Sequence, residues 1–257
     1  MIDNKQLIAL YTIVRRELVR MWRISTQVFL PPVITTALYF LIFGALIGKR
    51  IGQIGDVSYG TFIAPGLIMM SVITNAYGNV SSSLFSVRFQ KSIEEMLISP
   101  MASSILLLGY VLGGVLRGLL IAILVLIVSW IFVPINIHHW LLFFSVIILV
   151  AAIFSLAGFT NAMLARTFDD VTIVPTFILT PLTYLGGIFY TTSMLPPFWK
   201  IISHFNPMFY MITIMRYTMI NNSEASVLVS LIVIFSMLSL LIGLNLTMLK
   251  KGIGLRD

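Results

Sequence analysis

SLFSVRFQKSIEEMLISPMASS, residues 83–104, interrupts an otherwise apolar chain. No charged residue occurs from Val57 to Val87, and from Met96 to Ala165 there is only Arg117. Between these blocks sits a compact island of Arg88, Lys91, Glu94 and Glu95. At about 100° per residue, Phe85, Phe89, Ile93, Met96 and Leu97 fall on one face and the four charges on the other. The spacing predicts a short amphipathic helix over 84–98. It should end before Ser99-Pro100, because the residue before a proline is pushed out of the α region. With apolar blocks on both sides, this helix is expected to lie along one face of a membrane domain.

The composition outside the island supports that setting. A soluble globular chain carries about a quarter charged residues, whereas this one has 10% charged and 59% hydrophobic residues. Its mean hydropathy is +1.03. Several blocks reach the roughly 20 residues that cross a bilayer as a helix, and the alternation expected of a membrane β-barrel is absent. There is no cysteine, hence no disulfide or thiolate chemistry. The net charge of +7 reads as Lys and Arg collected in loops on one side of a membrane, and nucleic acid is not an expected partner. The first residues lack the pattern of a cleaved leader.

Outward from the island, residues 1–25 are expected to form an interfacial helix. Its apolar stripe is Leu7, Ile8, Leu10, Tyr11, Val14, Leu18 and Trp22, with basic residues and Trp22 at headgroup level. Spans follow at about 26–47, 59–82, 105–133, 140–163, 171–190 and 226–248. The second carries Asn75, Tyr77, Asn79 and Ser81, a polar face expected to point into protein or a cavity. The third holds Gly109/Gly113 and Gly114/Gly118, two small-xxx-small pairs that let another helix approach closely. Arg117 lies among them, either paired structurally or part of a transport path. His138 and His139 are adjacent, so their side chains do not converge on a metal, and they read as interfacial polar residues. Asp169 and Asp170 suit the N-terminus of the next helix. The fifth block is broken by Pro175, Pro181 and Gly186-Gly187. From 191 to 220 the chain is too apolar for a solvent loop and too broken for a span, which predicts outer re-entrant helices.

With both termini inside, the inner loops hold most of the Lys and Arg. The outside keeps only Lys49, Arg50, Lys200 and Arg216. The chain has no phosphate-binding loop, no nucleophile elbow and no His-Glu-x-x-His, so no enzyme activity is expected. All acidic residues, Glu17 included, are expected in loops, ends or the island. Energy for any pumping would have to arrive from outside the chain.

Five stretches carry a resemblance: FIAPGLIMMSVITNAYGNV (62–80), FQKSIEEMLISP (89–100), TFDDVTIVPTFILTPLTYLGGIFY (167–190), LPPFW (195–199) and NPMFYMITIMRY (206–217). In this order and spacing, over essentially the whole chain, they resemble permease subunits of the ABC-2 family of ATP-binding-cassette exporters. The resemblance implies an all-α polytopic fold of the type V exporter kind. It also implies six spans over residues 26–257, two copies per transporter and two separate ATPase subunits. ATP and Mg would sit on the ATPase, with no cofactor in this chain. The location implied is the bacterial inner membrane, both termini cytoplasmic, with lipids around the spans. Helix 84–98 would be the coupling helix, through Phe85, Arg88, Phe89, Lys91, Glu94 and Glu95. Arg166, Asp169 and Asp170 would form a second cytoplasmic contact. The expected transport path or gate involves Asn75, Asn79, Arg117, Tyr184, Phe189, Tyr190 and Tyr210. A passive channel or lipid scramblase without an ATPase is the alternative, and cargo stays open.

Overall fold

The computed structural model describes residues 4–93, 101–222 and 224–254. Glu94 and Glu95, with the rest of the expected helix beyond Ile93, lie outside the described residues. Among the described residues five helices are long and apolar enough to cross a membrane. The chain opens with α1 (Asn4–Arg23), then α2 (Ser25–Ile51), whose Phe40–Ile47 part is π-helical. A small antiparallel hairpin pairs β1 (Gln53–Ile54) with β2 (Val57–Ser58). The remaining long helices are α3 (Tyr59–Phe89), α4 (Ser103–Phe132) and α5 (Trp140–Leu164). Short helices α6 (Phe168–Val174) and α7 (Thr180–Leu185) follow, joined by a π turn, Pro175–Leu179. Then come α8 (Pro197–Phe205), α9 (Pro207–Ile220) and α10 (Val227–Lys251). The molecule is an all-α polytopic membrane protein.

α3 is the central element and packs against both α4 and α5. Its residues 62–69 are buried without interruption, as expected of a helical stretch that is hydrophobic all round, and Ser71, Thr74, Asn75 and Asn79 follow beyond it. The glycine pairs of α4 fix how its neighbours seat. A Cβ on Gly109 would lie 2.6 Å from Ile13, and one on Gly113 2.8 Å from Glu17. Both pairs are spaced by four residues, so α1 lies in register on the first glycine stripe. Gly114 faces Ser155 and Val80, and Gly118 faces Ala151 of α5. The second stripe therefore seats α5, with α3 beside it. Close backbone approach replaces the hydrophobic driving force that lipid cannot provide.

Three features depart from the sequence reading. The second span does not end near Ser82: α3 runs unbroken to Phe89, so Phe85, Arg88 and Phe89 belong to a membrane helix and not to a separate short one. The break comes at Lys91, whose φ of 59° is left-handed, a conformation that stops a helix. The expected fifth span at 171–190 is a composite. Pro175 and Pro181 lack the N–H that continues the α ladder, and the Thr180 N–H bonds back to the Pro175 carbonyl as a π turn. Finally, α1 buries Ile13, Glu17 and Met21, while Leu7, Ile8, Tyr11 and Trp22 of its apolar stripe are exposed. Much of the apolar stripe is thus left exposed, although Leu18 packs on the core, and the protein-facing side contains a carboxylate.

Residues 191–220 form compact helices, as the breaks at Pro196-Pro197 and Asn206-Pro207 predict. α9 is buried over most of its length. Its start is capped by Asn206, whose Oδ1 accepts from the Met208 N–H at 3.0 Å, with proline at the first helical position where no N–H is needed. His138 bonds the Met219 carbonyl at 3.0 Å, and His139 stacks on Tyr217 with ring centroids 5.1 Å apart.

Candidate functional site: the inner end and the polar groove

At the end of the bundle that the charge count places inside, the last turn of α3 meets the end of α5. Arg88 donates to the carbonyls of Ala162, Met163 (2.9 Å) and Ala165 (3.1 Å). These are terminal carbonyls of α5 without partners inside that helix, and a cation there also complements the helix dipole. Phe85 and Ile93 are buried in the inner core with Phe159 and Met163. Phe89 is 61% exposed. The island's apolar face is thus divided: Phe85 and Ile93 pack on the spans, and Phe89 points away from them. Lys91 is exposed beside it.

The turn at Arg166–Asp170 is brought against this end. Phe168 is 54% exposed and packs on Phe85 (4.8 Å between centroids) and Phe89 (5.0 Å). Phe168 was not singled out in the sequence, although it sits between Arg166 and the aspartates. Asp170 closes a capping box: its Oδ2 accepts from the N–H of Arg166 and of Thr167, both at 2.9 Å, while Thr167 Oγ1 accepts from the Asp170 N–H at 3.2 Å. The two backbone donors hold its carboxyl below the usual carboxylate range. Asp170 is therefore committed to its own turn, whereas Arg166 and Asp169 are exposed beside Phe168.

One helical turn and more further into α3 lies a polar cluster joining α1, α3 and α4. Glu17 is 2% exposed, which corrects its expected place at a solvated end. Ser83 Oγ donates to its carboxylate at 2.6 Å, Asn79 Nδ2 at 3.3 Å, Arg20 at 3.2 Å and Arg16 at 3.3 Å. Arg16 also donates to the Tyr110 hydroxyl at 2.6 Å. Arg20 reaches the Asn79 carbonyl and Oδ1, both at 2.8 Å. Arg117 completes the group, donating to Asn75 Oδ1 at 3.1 Å and Asn79 Oδ1 at 3.4 Å. The expected set Asn75, Asn79 and Arg117 is thus one constellation, and Glu17 and Arg20 are the members sequence reading missed. The four-residue spacing of Ile13 and Glu17 matches that of Gly109 and Gly113, a signal that becomes legible only once the two helices are known to touch.

From Asn75 a groove of about 190 Å³ runs between α2 and α3, lined by Pro31, Thr35, Tyr39, Ser71 and Thr74 among others. At its far end the Tyr39 hydroxyl bonds that of Tyr184 at 2.7 Å, and Phe189 stacks on Phe43 at 4.6 Å. Tyr184 and Phe189 are thereby joined to the inner constellation along one face. Tyr190 lies at the α7 turn with a buried hydroxyl. Tyr210 stands apart, its hydroxyl donating to the His204 carbonyl at 2.9 Å, so it fastens α9 to α8. Arg216, expected among the outer loop charges, is instead buried. It pairs with Glu224 at 2.9 Å, donates to the Gly187 carbonyl at 2.7 Å and lies 4.0 Å over the Phe62 ring. Glu224 also accepts from the Thr192 N–H at 2.6 Å, so one ion pair holds the outer turns together.

Comparison with known proteins agrees with this architecture. The chain is 49% identical over 252 residues to the inner membrane transport permease YadH of Escherichia coli (strain K12), covering 97% of this chain and 98% of that one. The Shigella flexneri protein of the same name matches to the same extent. Nodulation protein J of Rhizobium leguminosarum bv. viciae is 25% identical over 194 residues, 74% of each chain. The family model described as ABC-2 type transporter matches residues 8–220, and the chain belongs to that family.

Proposed function

We propose that this chain is the permease subunit of an ATP-driven exporter in a bacterial inner membrane, working as two copies with a separate ATPase pair. The observation that carries the reading is the exposed Phe89–Phe168 pair at the inner end. It stands on a base where Arg88 joins α3 to α5. Two aromatics more than half exposed, ringed by Lys91, Arg166 and Asp169, have the make-up of an interface centre: an apolar anchor with a polar rim. Both termini face the cytoplasm in this reading, because the basic residues then concentrate inside. ATP and Mg belong to the ATPase, and the permease contributes the path. The groove from Asn75 to Tyr184 is the permease's share of the path, and the outer aromatics Phe189 and Tyr190 gate its exit.

Burying the exposed part of both rings contributes about 2–3 kcal/mol, or roughly 30- to 150-fold in affinity. Phe89→Asp and Phe168→Asp should each lower co-purification of the neighbouring ATPase at least tenfold and uncouple its ATP hydrolysis from transport. Unchanged association with both variants would refute the docking site. Cargo flux through the purified permease without nucleotide would instead favour a channel or scramblase.

A further inference from the structure

We infer that Arg117 and Arg20, beside the Asn75 end of the groove, form a binding site for the anionic, phosphate-type headgroup of an amphiphile, with its apolar chain lying along the groove between α2 and α3. Glu17 carries the ion pairs to Arg20 and Arg16. Arg117 has no carboxylate of the described residues within ion-pair distance, and its two hydrogen bonds go to neutral amide oxygens. A guanidinium inside a membrane domain is costly without a countercharge. The Nε atoms of both Arg20 and Arg117 are buried and lack a partner among the described residues. Two forks with donors to spare, converging on Asn79, match the several oxygens of a phosphate better than a single carboxylate.

The groove explains why an amphiphile fits. Asn75 both receives Arg117 and lines the groove. One turn on, a Cβ at Gly78 would meet nothing within 4 Å, and Ser82 is exposed while bonded to Arg20 at 3.3 Å. The α3 surface is therefore open beside the arginines. Farther along, Val28, Pro31, Leu67 and Met70 offer apolar walls. A charged end with an apolar run beyond it suits a headgroup and chain. This inference deepens the path reading of Asn75, Asn79 and Arg117. Its test measures binding without nucleotide or ATPase, so failure of the site and failure of ATP-driven transport are read separately.

The test uses the full-length permease in phosphatidylcholine nanodiscs, titrated with phosphatidic acid and read by native mass spectrometry. Phosphatidic acid should bind at least tenfold more tightly than phosphatidylcholine. R117Q and R20Q should each lose that preference about tenfold, while K200Q, on exposed α8, keeps it. Preference retained in R117Q or R20Q, or lost equally in K200Q, overturns the site. If R117Q does not fold, the wild type alone decides, because equal retention of the two lipids overturns the proposal. Displacement of phosphatidic acid by millimolar inorganic phosphate would assign the site to a free anion and overturn the amphiphile reading.

Discussion

Glu17→Ala removes the one carboxylate in the protein-facing side of α1. In the native protein it accepts a short bond from Ser83 at 2.6 Å and a longer one from Asn79 at 3.3 Å, and it pairs with two arginines. A hydrogen bond to a charged acceptor is worth about 1.5–3 kcal/mol, and the longer one less. The ion pairs add only about 0.5 kcal/mol each, since Arg16 and Arg20 are about one-third exposed and can rehydrate. The expected loss is about 3 kcal/mol for Glu17→Ala and about half that for Glu17→Gln, which keeps an acceptor. For a chain of this size that corresponds to a fall in Tm of about 6–12 °C and 3–6 °C respectively. Because the chain has no cysteine, Ile13→Cys gives a clean local reporter. Ile13 is 5% exposed against Gly109, and its maleimide labelling should accelerate when Glu17→Ala loosens α1. A Tm shift under about 2 °C for Glu17→Ala, with unchanged labelling, would show that apolar contacts alone hold α1 and would refute the argument.

Other variants probe the remaining joints. A Cβ at Gly158 would lie 2.5 Å from the Tyr77 carbonyl oxygen, so Gly158→Val should prevent α3 and α5 from closing and sharply cut the yield of folded protein. Gly243→Ala, where a Cβ meets nothing within 4 Å, should be neutral or raise stability by up to about 1 kcal/mol. Glu224→Gln leaves Arg216 buried without its countercharge and should cost about 3 kcal/mol, read as a lowered Tm and faster proteolysis between α7 and α9. Asp170 has a depressed folded pKa, so its stabilisation is complete above the unfolded aspartate range near pH 4. It is lost as pH falls through the lower folded value. The Tm gap between wild type and Asp170→Asn should therefore be constant at neutral pH and close in acid.

The five long helices were readable because each is a long apolar block bounded by charge or proline, and the α4 glycines announced close packing before any partner was known. The island's position was readable too, but the end of α3 was not. Nothing in local spacing tells that Arg88 caps another helix 74 residues away, so a contiguous membrane helix read as span plus surface helix. Glu17 was hidden for a related reason. An acidic residue among Arg15, Arg16 and Arg20 looks solvated until the facing glycines show how close α4 comes. Topology counting places Arg216 in an outer loop because it assumes that loop charges meet water. Here Glu224, eight residues on, supplies an internal countercharge.

The Arg88 junction also has a mechanical meaning. α3 has 31 residues, so at 1.5 Å per residue it is a rod of about 46 Å. Its inner tip is fastened to the end of α5, and its outer start reaches the Phe189 carbonyl through the Tyr59 hydroxyl at 2.9 Å. A rotation of 5° about one tip carries the other through about 4 Å, more than the length of that hydrogen bond. Because two helices share the inner fastening, a tilt of one there carries the other with it, and for a rotation about that fastening the displacement is largest at the outer aromatics.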